Sequence, residues 1–498
     1  MFYALVSIML SALAAFSILF AKRKGWEYLT RIIKISTVVF IVLSMLNLFL
    51  PDFFARSHEP AFLEILEGYE LYAILRWMNL ASFIVLPMAV FQKNKYFVKI
   101  AIFFCLPITI INAAYFFKHI TLFTIAAPPS GLLNSKILPT VIKDVLVNKN
   151  FRTIFFALLC VAQLLPLVLL TVENRRKLAV AKKDIVNLIL IFLGTIYLAL
   201  PVYVPQILFG HVDIYMKRFT LVHFGWLAIM AALAVAFYFV FRHKSHTAKY
   251  EFLLAVSWSL MMQFSQMFTA TGQLGIAKLP LQLCNVASYL ALLTLLKKSQ
   301  KLYHFMLIVN IVGALLAIFI MDISPSSSHL TRLWVVHFIV EHTKVLLVPI
   351  WCLIFGIFKP LSLKQSIKHF SIGFTAYFVF VFILGTISNG IYRMQEGLPT
   401  QDFFYSNHLF MFDKDTAREL VGFSDPLFEI GLIRFGTFEI YPLMQVLVYI
   451  VFMTICLGMN LLLYALSYKQ RKTAKIPTQD NEQNDVEIDF DVVTIQNE

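Results

Sequence analysis

The sequence predicts an all-α, polytopic integral membrane protein with about thirteen transmembrane helices. Hydrophobic residues make up 59% of the 498 residues, and charged residues make up only 14%. A mean hydropathy of +0.77 excludes a water-soluble globular domain of this length. Apolar runs of about 18 to 25 residues, long enough to cross a hydrocarbon core of about 30 Å, recur along the chain. They cover residues 2–20, 32–50, 71–91, 96–117, 152–172, 184–208, 219–241, 250–270, 278–296, 303–322, 333–358, 367–391 and 441–466.

The basic residues indicate which loops face the cytoplasm. The net charge of +14 is spread over short loops instead of one basic domain, so it indicates membrane topology and argues against a nucleic-acid partner. The loops that alternate with these basic loops, such as 52–70 and 322–329, are neutral or acidic. With an odd number of spans, this bias predicts a multi-pass cell-membrane protein whose N-terminus is outside and whose C-terminus is cytoplasmic. The basic residues in alternate loops are Lys22, Arg23, Lys24, Lys93, Lys95, Arg175, Arg176, Lys177, Lys182, Lys183, Arg242, Lys244, Lys297, Lys298, Lys301, Lys359, Lys364 and Lys368.

The first span and the cysteines both lie within the predicted membrane region. No basic residue precedes the first span and no small-residue cleavage site follows it, so we expect a retained helix instead of a removable signal. The cysteines fall inside predicted spans, so we expect no disulfide framework. They are Cys105, Cys160, Cys284, Cys352 and Cys456.

An internal similarity predicts two parallel halves. Residues 75–82 (LRWMNLAS) align with residues 281–288 (LQLCNVAS) at an offset of 206, the difference between 281 and 75. Lys95 and Lys301, in the loops that follow, align at the same offset. Duplication of this kind is frequent in membrane proteins. We therefore predict a six-helix half over residues 1–210 and a seven-helix half over residues 211–466, related by an axis near the membrane normal.

Two segments are predicted to lie outside the membrane. Residues 392–440 mix aromatic and charged side chains, and we expect them to form a lid on the outer face. Residues 467–498 are rich in Asp, Glu, Gln and Asn and offer little to bury. They are therefore predicted to form a disordered acidic tail in the cytoplasm.

The eleventh span gathers several ionisable residues, which are costly in hydrocarbon and mark candidate sites. His337 and Glu341 are four apart and share a helix face, whereas His342 lies about 140° around the helix from His337. Glu341 and Lys344 are three apart, and we expect them to form an ion pair. For His337 alone we expect a packing or hydrogen-bonding role instead of catalysis.

Three short motifs in the second half resemble the YwaF family of integral membrane proteins. They are LPLQLCN over residues 279–285, EHTKVLLVP over residues 341–349 and FTLVHF over residues 219–224, which contains His223. The resemblance covers about residues 215–466. It implies similarity to vertebrate membrane acyltransferases in which a cysteine and a histidine move acyl chains between lipids. Those two residues correspond here to Cys284 and His342, and Gln282 stands where the family commonly has a histidine.

The resemblance implies a membrane-embedded, cysteine-dependent lipid acyltransferase or hydrolase. Cys284 would be the nucleophile and His342 its base, with Gln282 or Asn285 as donors to the oxyanion. No Gly-rich phosphate loop, His-Glu-x-x-His motif or CxxC pair occurs, so we predict no metal and no cofactor, and membrane lipids as partners. The alternative is a non-catalytic transporter or lipid-handling protein, which two parallel repeats and intramembrane charges favour.

Overall fold

The computed structural model is largely helical, with seventeen α-helices among the residues that it describes. It covers residues 2–48, 70–125, 145, 148–270, 279, 281–319, 329–358, 362–395, 401–406, 409, 430–435 and 438–466. The predicted tail 467–498 and most of the predicted outer loop lie outside the described residues.

The helices follow the apolar runs of the sequence. The first half contains α1 (Phe2–Lys24), α2 (Trp26–Leu48), α3 (Glu70–Leu80), α4 (Ser82–Val90), α5 (Lys95–Ile100), α6 (Leu106–Ile125), α7 (Lys149–Asn174), α8 (Ile185–Leu198) and α9 (Val204–Phe209), with a π-helical turn (Ala101–Cys105) between α5 and α6. The second half contains α10 (Leu221–Phe241), α11 (His246–Ala270), α12 (Leu283–Lys297), α13 (Gln300–Phe319), α14 (Leu333–Ile354), α15 (Leu363–Met394), α16 (Gln401–Phe404), the strands β1 (Ile433–Phe435) and β2 (Phe438–Ile440), and α17 (Pro442–Leu466).

The all-α, polytopic membrane architecture is confirmed. Within the described ranges, ten helices are long and apolar enough to cross a membrane, and α8 and α12 are shorter apolar helices. Each predicted span contains a helix, although the count of thirteen spans is not established. The orientation of the termini stays a prediction.

Two of the differences between the predicted spans and the observed helices bear on the site. The predicted span 184–208 is broken, because α8 ends at Leu198 and α9 begins at Val204. Pro201 lies in the break, and proline both lacks an N–H donor and disfavours helical geometry in the residue before it. The predicted span 278–296 begins late, because Gln282 has extended backbone (φ −68°, ψ 149°) and α12 starts at Leu283.

The first half buries a fully hydrogen-bonded polar cluster. Gln163 Nε2 donates to Asn79 Oδ1 (2.9 Å) and lies 3.0 Å from Thr109 Oγ1. Thr109 Oγ1 in turn donates to Asn79 Oδ1 at 3.0 Å. These side chains join α3, α6 and α7, and α1 and α2 pack against α7. Polar side chains that satisfy one another hold membrane helices together.

The second half is built on the mutual packing of α11, α12, α13 and α14. At its centre Ala287 and Ala314 form one buried cluster with Leu260 and Val345, and the two small alanine side chains allow the helices to approach closely. α10 packs on α14, while α15 and α17 pack on α13. α11 joins the halves through contacts with α2, α4 and α8. The predicted repeat relationship between the halves stays a prediction.

A short connection ties the junction of the two halves to the start of α14. Leu330 N donates to Ile214 O (2.9 Å), and Thr331 Oγ1 donates to Gly210 O (2.7 Å). The His329 and His211 rings lie 4.3 Å apart. His329 is buried, and burial, together with the nearby His211 and Arg332, lowers the pKa of its imidazole.

We expect the stability of this connection to fall as the pH falls. Because the folded-state pKa of His329 lies below its unfolded value, its contribution is fully present above the unfolded pKa, near 6.5. It is lost as the pH falls through the folded pKa. The measurement is the free energy of unfolding of the purified protein between pH 8 and pH 5. His329→Gln should flatten this dependence, and an unchanged slope in that variant would refute the assignment.

Candidate functional site

Cys284 lies in the first turn of α12. The sequence placed it about six residues inside a span, but α12 begins at Leu283 and Cys284 is its second residue. The first backbone N–H groups of a helix have no intrahelical partner and favour negative charge nearby. The thiol lies 3.4 Å from Asn285 Oδ1, to which it can donate. The side chain therefore belongs to the helix turn whose backbone N–H groups have no intrahelical partner.

Cys284 differs from the other four cysteines in its exposure. It is half-buried, whereas Cys105, Cys160, Cys352 and Cys456 are all buried. A buried thiol in apolar surroundings is inert, and a reactive thiol must be reached by its substrate. Exposure therefore favours Cys284 as the reactive cysteine of the chain.

Close packing against α13 fixes the start of α12. A Cβ atom added at Gly313 would lie 3.2 Å from Leu283 Cβ and 3.3 Å from Cys284 N. One of these neighbours is backbone, so it cannot move aside by a change of rotamer. The absence of a side chain at Gly313 thus allows α13 to lie close to the backbone of Cys284 at the start of α12.

We expect Gly313→Ala to destabilise the protein and to displace the first turn of α12. Overpacking costs about 1–3 kcal/mol, whereas Gly→Ala in an unobstructed helix gains up to about 1 kcal/mol. Gly225→Ala on α10 is the matched control, because nothing lies within 4 Å of the added atom. The measurement is the free energy of unfolding of both variants in detergent. Equal effects of the two substitutions would contradict the close approach.

Described residues of the predicted outer loop lie against the same turn. Leu409 N donates to the side-chain oxygen of Gln282 (3.1 Å), and Leu409 is buried. Ser406 and Asn389 exchange two hydrogen bonds, which hold residues 401–406 to α15. Tyr377 of α15 donates to Leu281 O at 2.5 Å. Gln282 therefore anchors the loop, and its Oε1 is occupied.

A hydrogen-bonded chain joins α12 to α14. His337 Nε2 lies 2.9 Å from Glu341 Oε2, and Ser288 Oγ donates to Glu341 Oε1 at 3.1 Å. The predicted shared face of His337 and Glu341 is present. The predicted Glu341–Lys344 ion pair is wrong, because both carboxylate oxygens of Glu341 already have donors and Lys344 has other partners.

Lys344 points to α11 instead. Its Nζ donates to Ser259 Oγ (2.6 Å) and to the side-chain oxygen of Gln263. Those side chains in turn donate to Leu198 O (2.5 Å) and Leu200 O (2.8 Å), the carbonyls at the α8 break. In the part of the chain that the structure describes, no carboxylate pairs with Lys344.

The geometry of His342 defines its tautomer. Its Nδ1 lies 2.7 Å from Phe338 O. A carbonyl only accepts, so Nδ1 carries the hydrogen and the neutral ring has its lone pair on Nε2. That Nε2 is buried and has no partner among the described residues. A neutral imidazole with a free lone pair is the form required of a general base.

His223 lies on the other side of two aromatic rings from His342. Its Nδ1 accepts from Phe219 N (3.3 Å), and its Nε2 has no partner in the described part of the chain. The ring sequence His223, Trp226, Phe338, His342 has centroid separations of 6.0, 5.7 and 4.3 Å. His223 therefore supports the α10–α14 interface and is separated from His342 by Trp226 and Phe338.

The structure brings five of the predicted site residues to two packed helices. α12 and α14 contact each other, as the Cys284–His342 hypothesis requires. Sequence reasoning missed Ser288 and Gly313. Ser288 could have been found by helical spacing, since it is four residues from Cys284; Gly313 gave no local signal. Among the described residues, no group of three or more His, Cys, Asp or Glu could hold a metal ion.

Comparison with known families covers this half of the chain. The model of the TMEM164 family matches residues 215–464, half of the 498 residues. The match includes Cys284, Glu341 and His342. It supports a membrane-protein family for the region that carries the YwaF-like motifs, while the YwaF assignment itself stays a prediction. No curated protein and no solved structure matches the chain.

Proposed function

The chain belongs to the TMEM164 family, and from this premise we propose that it is a membrane-embedded, cysteine-dependent lipid acyltransferase or hydrolase. Cys284 is the nucleophile and His342 the general base. One observation carries the proposal: His342 presents an unpartnered Nε2 lone pair on the helix that packs against the helix of the half-buried Cys284.

The chemistry needs two steps. The thiol gives its proton to an imidazole, and the thiolate attacks the carbonyl carbon of a lipid ester. The C–O bond breaks, the leaving alkoxide takes the proton, and a thioester remains on Cys284. A lipid hydroxyl then attacks the thioester in a transferase, or water attacks it in a hydrolase, and the thiol is regenerated.

Developing negative charge on the carbonyl oxygen needs donors near Cys284. The backbone N–H groups of the first turn of α12 are the nearest set. Asn285 uses its Oδ1 toward the thiol, which leaves its Nδ2 as a second donor. Gln282 accepts the Leu409 N–H with its Oε1, which holds its side-chain amide beside this turn.

The test is formation of the thioester. The purified full-length protein is reconstituted with a phospholipid that carries an alkyne-tagged acyl chain. We expect a covalent label that hydroxylamine removes and that peptide mapping assigns to Cys284. Absence of label, or label on another residue, would refute the proposed function.

The second candidate is a lipid-handling or transport protein without catalysis. It is favoured by the break between α8 and α9 and by Lys344, whose partners donate to the carbonyls at that break. Interrupted helices at membrane depth line substrate pathways in transporters. Movement of labelled lipid between leaflets of proteoliposomes, without any thioester, would support this candidate.

A further inference from the structure

His337 is a second buried imidazole with one ring nitrogen free. Its Nε2 contacts the Glu341 carboxylate at 2.9 Å, and the two side chains are 11% and 4% exposed. Its Nδ1 is buried and has no partner among the described residues. A carboxylate behind an imidazole fixes its orientation and stabilises its protonated form. His342 has only a backbone carbonyl in that position.

The register of α12 and α14 places His337 at the level of Cys284. α12 runs antiparallel to α13, because Asn310 donates to Ala287 O while Gly313 lies against Leu283. α14 also runs antiparallel to α13, because Tyr303 stacks on Phe358 while Ala314 shares a buried cluster with Val345. α12 and α14 are therefore parallel. Ser288 of α12 touches Glu341 of α14. One turn toward the start of each helix, about 6 Å back, lie Cys284 and His337. The thiol and this imidazole therefore share one level of two packed helices.

Ser288 joins the pair to the nucleophile. Its hydroxyl lies 3.1 Å from Glu341 Oε1 and 3.4 Å from Cys284 O. The carboxylate thus receives one donor from each helix, and a shift of α12 along α14 would break that contact. This contact fixes the position of the thiol relative to His337.

We propose that the two histidines divide the proton transfers, with His337, backed by Glu341, serving the first step and His342 the second; this rests on the proposed function and reassigns only the base that activates Cys284. In the first step the thiol proton passes to His337 Nδ1, the thiolate displaces the alkoxide of the donor ester, and the alkoxide takes that proton. In the second step His342 Nε2 accepts the proton of the acceptor hydroxyl. The acceptor oxygen bonds to the carbonyl carbon, the C–S bond breaks, and the proton returns to sulfur.

The experiment separates the two steps in single-turnover assays with the alkyne-tagged donor lipid. A general base contributes about 10²–10⁴-fold to its step. We expect His337→Gln to slow thioester formation by at least about 10²-fold. His342→Gln should form the thioester at near the wild-type rate and accumulate it. Glu341→Gln should slow the first step by up to about 10⁴-fold, the scale for replacing the carboxylate that orients a catalytic imidazole.

Alkylation of Cys284 by iodoacetamide across pH gives a second readout that needs no substrate. His337→Gln should shift the pH profile of alkylation, while His342→Gln should not. His243→Gln, at an exposed position after α10, is the control for loss of a histidine and should match the wild type in both assays. The unfolding temperature of each variant shows whether it is folded.

The outcomes distinguish this inference from the proposed function. No thioester in the wild-type protein would refute the proposed function. A wild-type thioester whose formation requires His342 and not His337 would leave the function standing and overturn the division. Equal slowing of the first step in both variants would also overturn it.

Discussion

Cys284→Ala is expected to abolish thioester formation and to lower lipid turnover by about 10⁴-fold or more, the scale for losing a catalytic nucleophile. No other thiol can replace it, because the remaining four cysteines are buried. The substitution removes one sulfur from a half-buried position, so the free energy of unfolding should change by less than about 1 kcal/mol. Turnover and thermal unfolding of the same preparation measure both effects.

Cys456→Ala on α17 is the matched control for this experiment. Cys456 is fully buried, and removing its sulfur leaves a small cavity with a cost of about 1 kcal/mol or more. We expect the opposite result: turnover is kept and stability is lost. If Cys284→Ala keeps wild-type turnover, Cys284 is a packing residue and the transport candidate becomes the better one.

The membrane spans were predictable because hydrophobic length alone determines them. A run of apolar residues long enough to cross the bilayer must satisfy its own backbone, and a helix does so. The helix ends depend on local backbone geometry. The start of α12 is set by the extended conformation of Gln282, which the apolar run over 278–296 does not reveal.

The candidate site was predictable where its geometry is local to one helix. The four-residue spacing of His337 and Glu341 predicts one face, and the two side chains contact each other. The ion pair of Glu341 with Lys344 was predicted from the same kind of spacing and is wrong, because side chains of other helices bind both residues. Ser288 of α12 and His337 bind the Glu341 carboxylate, and Ser259 Oγ of α11 accepts a hydrogen bond from Lys344 Nζ.

Contacts between helices carry information that no single segment contains. Gly313 matters only because the backbone of Cys284 approaches it. Leu409 matters only because its N–H reaches Gln282 across 127 residues of sequence. Helix packing and loop docking bring these residues together. No pattern within a single sequence reveals such contacts.

With Lys344 charged, Gln263→Leu is expected to destabilise the protein by about 3–5 kcal/mol, because it removes a partner from a buried charged group. Gln263 accepts from Lys344 Nζ and donates to Leu200 O. The ammonium would keep only Ser259 Oγ among its present partners, and no carboxylate in the described ranges pairs with it. The free energy of unfolding in detergent is the measurement.

Lys344→Met should destabilise the protein much less, by no more than about 2 kcal/mol. The substitution removes the buried charge and nearly preserves the volume of the side chain. In the double variant, Lys344→Met should recover more than half of the loss caused by Gln263→Leu. That recovery would identify the buried charge without its partner as the cause of the large effect. Purely additive losses would contradict this cause, because independent sites add and coupled partners do not.

Gln163→Leu is the matched control for a buried amide. Gln163 and Gln263 are both 4% exposed, but Gln163 bonds only to the neutral side chains of Asn79 and Thr109. Its loss should cost about 1–3 kcal/mol, the penalty for neutral groups left unsatisfied. Since the two glutamines share residue type and burial, an excess loss at Gln263 measures the charge on Lys344. Equal losses at the two positions would mean that Lys344 is held as a neutral amine, which needs no counter-charge beside the carbonyls of the α8 break.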